Sequence, residues 1–316
     1  MKIKKLSKIS KTLVDEVNKS IVGKRSVLQK TLLGILANGH ILFEDYPGLA
    51  KTMLSNCFAD ALGCDFKRIQ FTPDLLPADI TGSFIYDRNT GKFKMRKGPI
   101  FTNVLLADEV NRAPPKTQAA LLEAMQEKQT TIEGDTHKLD RPFIVIATQN
   151  PIEYEGTYPL PEAQVDRFLL RLDIGYPSED DEVEILRRRK DRKEDDVHTN
   201  KVTEPKTLQE MQRAVEEVHL DDDIKRYIVN IVQKTRKHNQ VEVGSSPRGS
   251  LALMKLAMAN AALRGRDYVV PDDVKFISKE ALSHRLVLKP GPAIKGVNPE
   301  DIVKKVLSSV PVPKVK

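Results

Sequence analysis

One segment of the sequence places glycine, lysine and threonine at a spacing that can bind phosphate. The apolar run Ile41-Leu42-Phe43 predicts a buried strand, and a helical pattern of apolar residues begins after Thr52. Between them lies Tyr46-Pro47-Gly48-Leu49-Ala50-Lys51-Thr52. Backbone N–H groups at the start of such a helix point at phosphate, and the helix dipole favours its negative charge. The segment therefore predicts a P-loop, in which Lys51 contacts the β- and γ-phosphates of a nucleotide and Thr52 binds Mg²⁺.

This loop departs from the usual G-x-x-x-x-G-K-[ST] pattern at two positions. Asp45 stands at the first glycine and Ala50 at the second. Glycine is usual there because the backbone approaches phosphate closely and can need a positive φ. Taken alone, the segment also fits an ordinary strand, turn and helix with an exposed lysine. If it is a P-loop, the Asp45 carboxylate must point away from the phosphates, toward a basic neighbour.

Two carboxylates follow a second apolar run. Residues 104–107 are wholly apolar and lead directly into Asp108 and Glu109. Such continuous apolarity is typical of a central parallel strand that is buried on both faces. Beside a P-loop, the first carboxylate would hold Mg²⁺ and the second would polarise the attacking water. The alternative, two exposed acids at a strand end, is disfavoured by the apolar run and the nearby P-loop.

Three further residues could complete a hydrolytic site. Asn150 ends another apolar strand, where its amide could orient water and sense the γ-phosphate, although it could also be a turn residue. Arg167 could stabilise transition-state charge in a neighbouring subunit, or pair locally with Asp166 or Glu162. Arg248 starts a helix in the second half of the chain. There it could reach nucleotide held between two domains, or it could be a surface charge.

These residues converge on one crevice if their strands form an open parallel sheet. Helical patterns alternate with the strands, which predicts an α/β domain with a mainly parallel five-stranded sheet. The predicted strands cover residues 41–44, 65–71, 104–109, 143–148 and 168–173. Two hairpins interrupt this pattern: one lies within an insert at residues 72–100, and the other at residues 129–141 has Gly134-Asp135 as its turn.

Helices dominate the sequence beyond Pro177. They are predicted at about residues 179–192, 207–218, 221–238, 247–263 and 271–285. We therefore predict two domains: a nucleotide-binding α/β core at residues 1–176 and an all-α domain at residues 177–316.

Composition excludes several classes of protein. Hydrophobic residues make up 40% of the 316 and charged residues 30%, which is typical of a globular chain. No apolar run is long enough to span a membrane, and the N-terminus lacks the core of a signal peptide. The two cysteines fit a reducing compartment, so we expect a cytoplasmic protein. A net charge of +7 permits nucleic-acid binding. Trp is absent, however, and aromatic residues are only 5%, which disfavours a surface on which bases stack.

Four segments together resemble the MoxR family of AAA+ ATPases. They are HILFEDYPGLAKT (40–52), NVLLADEVNRAPPKTQAALLEAMQE (103–127), FIVIATQNPIEYEGTYPLPEAQVDRF (143–168) and SSPRGSLALMKLA (245–257). The resemblance covers nearly the whole chain and implies an AAA+ core with a helical lid. The Ala50 form of the P-loop is similar to that of the family. The implied roles are Walker A for Lys51 and Thr52, Walker B for Asp108 and Glu109, sensor 1 for Asn150, arginine finger for Arg167, sensor 2 for Arg248 and adenine contact for Val22 and Gly23.

The resemblance also implies what the chain does. Members of this family are expected to form hexameric rings and to couple ATP hydrolysis to remodelling or maturation of partner complexes, such as metal insertion. A von Willebrand factor A domain protein is the implied client or adaptor. Two alternatives stay open. One is a DNA-translocating or helicase-like motor that uses the basic hairpin at residues 84–97, and the other is an ATP-binding assembly factor with little hydrolysis.

Overall fold

The computed structural model describes residues 1–151 and 156–313 of the chain. The strands are β1 (Ile41–Glu44), β2 (Phe66–Gln70), β3 (Gly82–Asp87), β4 (Lys92–Lys97), β5 (Val104–Asp108), β6 (Gln129–Ile132), β7 (Asp135–Lys138), β8 (Ile144–Gln149), β9 (Leu170–Leu172), β10 (Val241–Val243) and β11 (Val287–Leu288).

The helices occur between and after these strands. They are α1 (Ile3–Ser20), α2 (Arg25–Leu36), α3 (Lys51–Leu62), α4 (Pro77–Thr81), α5 (Pro115–Glu127), α6 (Glu162–Val165), α7 (Glu179–Arg192), α8 (Pro205–Glu216), α9 (Asp222–Arg236), α10 (Pro247–Leu263), α11 (Pro271–Leu282), α12 (Pro290–Ile294) and α13 (Pro299–Ser309).

Five strands form the central sheet in the order β2-β5-β8-β1-β9, and every neighbouring pair is parallel. Alternate side chains of a strand point to opposite faces of the sheet. On one face Phe43 and Leu106 pack with apolar residues of α1, α2 and α3, whereas on the other Leu42 and Leu105 pack with α5. The predicted five-stranded parallel sheet with flanking helices is confirmed, and its strands end along one edge.

The predicted hairpin in the insert is confirmed. Strands β3 and β4 pair antiparallel from Gly82 opposite Lys97 to Asp87 opposite Lys92. The short helix α4, which was not predicted, leads into it from Pro77.

The second hairpin forms with a turn one residue earlier than predicted. Ile132 pairs with Asp135, so the turn is Glu133-Gly134 and not Gly134-Asp135. Both turn residues have positive φ, 50° at Glu133 and 95° at Gly134. A two-residue turn with positive φ at both positions matches the twist of the strands and favours glycine at the second position. The prediction placed glycine first and is wrong by one residue.

The C-terminal region is mainly helical, as predicted. Helix α10 packs against α1, α2, α8, α9 and α11, so its apolar residues continue the core that covers one face of the sheet. A two-stranded antiparallel ribbon, β10–β11, and the helices α12 and α13 add to the predicted elements. Within the described ranges, no helix combines the length and apolarity needed to cross a lipid bilayer.

Candidate active site

The P-loop and the ends of β2, β5 and β8 enclose a cleft of about 420 Å³, which we call the phosphate cleft. It lies at the carboxyl ends of the parallel strands, where ligands bind in open α/β sheets. The predicted residues that line it are Lys51, Thr52, Asp108, Glu109, Asn150 and the loop residues 47–50. The structure therefore brings these predicted groups together.

Lys51 begins α3 and folds back onto the loop. Its Nζ donates hydrogen bonds to the carbonyl oxygens of Asp45 at 2.7 Å and Tyr46 at 2.9 Å. Burial lowers the pKa of Lys51, and the carboxylates of Asp45, Asp108 and Glu109 oppose that shift. The ammonium group therefore stands at the head of a helix, among carboxylates that favour its charged form.

The loop backbone adopts the conformations for which glycine is usual. Gly48 has φ 80° and Ala50 has φ 56°, both in the left-handed range. A side chain at Gly48 would meet no atom within 4 Å, so conformation and not space favours glycine there. Ala50 adopts the same range despite its Cβ, at a cost on the order of 1 kcal/mol. The packed structure around the loop holds Ala50 in this conformation.

The Asp45 carboxylate points away from the cleft, as expected, but its partners are not basic side chains. Oδ2 accepts hydrogen bonds from the backbone N–H groups of Ile174 and Gly175, both at 2.7 Å, and Oδ1 accepts one from Tyr46 at 2.8 Å. Ile174 and Gly175 lie just beyond β9, which neighbours β1 in the sheet. Asp45 therefore ties the P-loop to the adjacent edge strand, and the expectation of a basic neighbour is corrected.

Thr148 positions the two carboxylates that follow β5. Its Oγ1 donates to Asp108 Oδ1 at 2.6 Å and accepts from the Glu109 backbone N–H at 2.8 Å. Glu109 has φ 55°, which is uncommon for a residue with a side chain and recurs at functional sites. Asn150, which is 6% exposed, follows the neighbouring strand β8 into the same cleft.

Strand β2 contributes two side chains that the sequence analysis did not identify. Arg68 donates to Asp108 Oδ2 through Nε at 3.1 Å and Nη2 at 2.7 Å, and Nη2 also donates to Gln70 Oε1 at 2.8 Å. Gln70 Nε2 donates to Glu109 Oε2 at 2.6 Å, and Arg112 Nε lies 3.1 Å from the same oxygen. The available signal was the i, i+2 spacing of two long polar side chains at a strand end.

A pocket of about 350 Å³ adjoins the P-loop and is suited in position to a nucleotide base. Ile21 and Val22 line it from the N-terminal segment, Met53 from α3, and Ile185 from α7. Val22 therefore lies where an adenine contact was predicted.

Gly23 and Tyr46, both predicted to contact the nucleotide, lie beside the clefts. At Gly23, φ is 72° and the Asp181 carboxylate lies 2.2 Å from the place that a Cβ would take, so a side chain there would collide with it. The Tyr46 ring stacks on Tyr176 with 5.8 Å between ring centroids. Gly23 thus allows α7 to pack closely against the segment between α1 and α2. The carbonyl oxygen of Tyr46 accepts a hydrogen bond from Lys51.

A third cleft is rich in positive charge. It contains Asp166 and five basic side chains, and we call it the basic cleft; the five are Lys128, Arg167, Arg248, Lys255 and Arg285.

Asp166 in this cleft is held by the C-terminal region. The buried Arg285 donates to Asp166 Oδ1 at 2.8 Å, Ser246 Oγ donates to Oδ2 at 3.0 Å, and Arg248 Nε lies 4.0 Å from Oδ2. Within residues 1–151 and 156–313, the Arg167 guanidinium has no hydrogen bond or ion pair. The local pair of Arg167 with Asp166 is therefore not formed.

Burial and nearby positive charges lower the pKa of Lys128 in this cleft. Burial lowers the pKa of Lys128 to about 8, and the positive charges of Lys255 and Arg141 add to the shift. Its Nζ lies 2.7 Å from Nε2 of the buried His40, whose Nδ1 accepts a hydrogen bond from the backbone of Val145. A neutral His40 then carries its hydrogen on Nε2, where the carbonyl oxygen of Met125 lies at 3.0 Å and accepts it.

The phosphate cleft and the basic cleft lie at opposite ends of β1. His40, just before β1, lines the basic cleft, whereas the loop after Glu44 lines the phosphate cleft. A strand of four residues spans roughly 13 Å. Arg167 and Arg248 are therefore distant from Lys51 of the same chain. Arg248 lies beside Asp166 because α10 packs on α1 and α2, and its contact with nucleotide stays a prediction.

Comparison with known proteins decides the family. Residues 40–170 match the model of the ATPase family associated with various cellular activities (AAA), and residues 233–306 match the AAA lid domain. The chain is 42% identical to the chaperone MoxR1 of Mycobacterium tuberculosis over 317 residues, which cover 95% of this chain and 81% of that protein. The chain belongs to the MoxR family of AAA+ ATPases.

Two other proteins are similar to nearly the whole chain. The uncharacterized protein YeaC of Bacillus subtilis is 51% identical over 304 residues, which cover 95% of this chain and 93% of YeaC. A crystal structure of an inferred ATPase from Cytophaga hutchinsonii superposes with a TM-score of 0.91 at 40% identity, covering 98% of this chain and 96% of that one. Membership of an AAA+ family implies nucleotide binding.

Proposed function

We propose that this MoxR-family chain hydrolyses ATP in the phosphate cleft. The observation that carries the proposal is the convergence of Lys51, Asp108, Glu109 and Asn150 on one cleft at the head of α3. Lys51 and the loop backbone bind the β- and γ-phosphates. Glu109 accepts a proton from the attacking water, and Asn150 orients that water. Val22 and its neighbours in the adjoining pocket hold the adenine.

The donor groups in the cleft fit Mg²⁺. The Thr52 hydroxyl and the Asp108 carboxylate line the same cleft, and both are the oxygen donors that Mg²⁺ prefers. Mg²⁺ bound there would neutralise charge on the β- and γ-phosphate oxygens.

The active unit in this proposal is a homo-oligomer. The phosphate cleft contains the phosphate ligands and the water-activating carboxylate, whereas Arg167 and Arg248 lie at the other end of β1. A guanidinium supplied by a neighbouring subunit can stabilise the transition state of phosphoryl transfer. We assign this role to Arg167, and to Arg248 beside it, in a closed ring of six copies. A ring places one basic cleft against each phosphate cleft.

The hydrolysis would drive chaperone-like remodelling or maturation of partner complexes, including metal insertion, with a von Willebrand factor A domain protein as client or adaptor. One relative is named a chaperone, which supports this direction. The β3–β4 hairpin supports it as well, because Tyr86 is 57% exposed and Phe93 is 70% exposed on one of its faces. An exposed apolar patch rimmed by polar residues is typical of a surface that binds other proteins.

The same hairpin keeps a DNA-translocating motor as the second candidate. It carries five basic side chains, Arg88, Lys92, Lys94, Arg96 and Lys97, of which Lys94 pairs with Asp87. Basic side chains hold nucleic-acid phosphates, and that binding weakens steeply with salt. A motor of this class predicts an ATPase rate that rises with DNA at low salt and loses the stimulation as salt increases. A rate that does not respond to DNA at low salt excludes it.

The test of the main proposal is Mg²⁺-dependent release of phosphate from ATP. Glu109→Gln should bind ATP and lower the rate by at least about 100-fold, because the amide cannot accept the proton. Glu44→Gln is the matched control, since Glu44 is a carboxylate at the end of β1 that pairs with Arg171 outside the cleft. A Glu109→Gln variant that hydrolyses ATP at the wild-type rate would exclude Glu109 as the water-activating residue.

A further inference from the structure

One buried arginine of the C-terminal region contacts the chain on both sides of Arg167. This residue, Arg285, follows α11 and is 8% exposed. Its Nη2 donates to the carbonyl oxygens of Asp166 at 3.3 Å and Phe168 at 2.6 Å, the residues directly before and after Arg167. Its Nε donates to Asp166 Oδ1 at 2.8 Å. A single guanidinium therefore holds the backbone that carries Arg167.

All three nitrogens of the Arg285 guanidinium are engaged. Nη1 donates to the carbonyl oxygens of Ala281 and, at 3.3 Å, of Leu169, and it lies 2.7 Å from Nε2 of His284. The N–H groups of a guanidinium lie in one rigid plane, so these contacts fix the surrounding groups relative to one another. Asp166 balances the buried positive charge. Arg285 is therefore a rigid link between α11 and the segment before β9.

The side chain of Arg167 has no such support. Among the described residues, nothing forms a hydrogen bond or an ion pair with its guanidinium. It lines the basic cleft, where the proposed ring places the triphosphate of a neighbouring subunit. Since no contact fixes the side chain, the position of its backbone determines which phosphate oxygen it can reach. The contacts of Arg285 set that position.

The same link includes the start of α10. Ser246 caps this helix, and its Oγ donates to Asp166 Oδ2 at 3.0 Å. Arg248 follows two residues later, with its Nε 4.0 Å from the same oxygen. One oxygen of Asp166 thus contacts Arg285 and the other contacts the start of α10. Loss of Arg285 would change the position of Arg167 relative to Arg248.

We propose that Arg285 is a positioning residue that places Arg167 and Arg248 against the triphosphate held by a neighbouring subunit. It acts through the backbone on both sides of Arg167 and contacts no phosphate itself, since its own nitrogens are already engaged. The C-terminal region of one chain thereby controls hydrolysis in the next chain and not in its own phosphate cleft. This inference rests on the proposed ATPase function and on the action of Arg167 in trans.

The first measurement separates ATP binding from turnover. Arg285→Met should lower kcat roughly 100-fold, because a misplacement of about 1 Å costs that much. Its affinity for a fluorescent, non-hydrolysable ATP analogue should equal that of the wild type, and Arg285→Lys should regain part of the rate. Arg266→Met is the matched control and should keep the wild-type rate. Arg266 also binds a buried carboxylate of the C-terminal region, that of Asp273, but it makes no hydrogen bond to residues 166–169.

The second measurement identifies the cleft that the substitution damages. Arg285→Met subunits keep their phosphate cleft and Lys51→Ala subunits keep their basic cleft, so a mixture of the two should regain part of the activity. A mixture of Arg285→Met with Arg167→Ala should regain none, because both then have a defective basic cleft. A general loss of structure instead predicts weaker binding of the analogue and no gain in either mixture.

Four results would overturn the inference and leave the ATPase proposal intact. They are a wild-type rate in folded Arg285→Met, weaker binding of the analogue, an equal loss of rate in Arg266→Met, and a gain of activity on mixing with Arg167→Ala. If Arg285→Met does not fold, the same measurements on Arg285→Lys decide, and a wild-type rate there overturns the inference. A wild-type rate in Arg167→Ala refutes the role of that residue in trans. A wild type that releases no phosphate from ATP refutes the proposed function itself.

Discussion

The two clefts at the ends of β1 differ in how their charges are matched. In the phosphate cleft, Lys51 is held by carbonyl oxygens and Asp108 by Arg68, so the cations and anions there have partners within the chain. In the basic cleft, five basic side chains share the single carboxylate of Asp166, and Arg167 has no partner among the described residues. One cleft is electrostatically complete by itself, whereas the other has an excess of positive charge.

This difference indicates which cleft needs a second molecule. An excess of buried or half-buried positive charge is costly until an anion neutralises it. The triphosphate of ATP bound to another copy of the chain is such an anion, and the phosphate cleft would hold it. The contrast between the clefts thus supports a site completed between subunits, and the following experiments test that contrast.

Removal of Arg167 or Arg248 should have the largest effect. Arg167→Ala should bind ATP normally and lose roughly 1,000-fold in hydrolysis, because an arginine supplied in trans is worth that much in phosphoryl transfer. Arg248→Ala should lose less, since Asp166 already lies 4.0 Å from its Nε. Phosphate release and binding of a fluorescent ATP analogue measure the two properties separately. Arg226→Ala, an exposed arginine on α9, is the control.

Mixing of variants separates action in trans from action within a chain. A Lys51→Ala subunit has no functional phosphate cleft but keeps its basic cleft. It should restore part of the activity to Arg167→Ala subunits and also to Arg248→Ala subunits. One of the two kinds of mixed interface joins the intact phosphate cleft of the arginine variant to the intact basic cleft of Lys51→Ala, whereas the other joins the two defective clefts. If neither mixture gains activity at any ratio, the two clefts do not meet between subunits.

Much of the phosphate cleft was predictable from the sequence because its residues follow apolar runs. Continuous apolar strands indicate a parallel sheet, and the carboxyl ends of parallel strands meet at one edge. For that reason the sequence could predict that Lys51, Asp108, Glu109 and Asn150 lie close together, and in the structure they line one cleft. Arg68, by contrast, becomes part of the site only because β2 lies beside β5, and the order of strands in a sheet is not written in local sequence.

The basic cleft was less predictable because it depends on contacts between distant segments. Arg248 lies beside Asp166 because α10 packs on α1 and α2, more than 200 residues away in the chain. Periodicity identified α10 as a helix but gave no information about its partner. The prediction of the turn in the second hairpin was wrong for a local reason. Glycine is favoured at either the first or the second position of a two-residue turn, so Gly134 fits both.

Substitution of Asp45 tests whether the stability of the fold depends on the contact between the P-loop and the segment after β9. Asp45→Ala leaves three backbone N–H groups without acceptors, including that of the buried Ile174. An unsatisfied buried donor costs about 1–3 kcal/mol, so we expect a loss of about 3 kcal/mol in the free energy of unfolding. Urea denaturation measures it. Asp45→Asn keeps one acceptor oxygen and should lose less; equal stability of Asp45→Ala and wild type would contradict the role of this carboxylate.

The excess of positive charge in the basic cleft can be tested at Lys128, because its lowered pKa makes the free energy of unfolding depend on pH. Its pKa is about 8 in the folded chain because of burial and of Lys255 and Arg141, and close to 10.4 when unfolded. Between these values the unfolded state binds more protons, so stability rises with pH through this window and falls again as the pH is lowered from about 10 to 8. The rise from pH 8 to pH 10 should be roughly 2 kcal/mol.

Lys128→Met should remove that rise. Lys116→Met should keep it, because Lys116 is an exposed lysine near the start of helix α5, which ends just before Lys128. Denaturation curves at pH 8, 9 and 10 give the comparison.

The same curves measured with and without ATP test whether the basic cleft contacts nucleotide in the assembled protein. If the triphosphate of a neighbouring subunit neutralises the basic cleft, ATP should raise the pKa of Lys128 and shrink the difference between wild type and Lys128→Met. A difference that ATP leaves unchanged, in a sample that binds ATP, would mean that the positive charge of this cleft serves another anion.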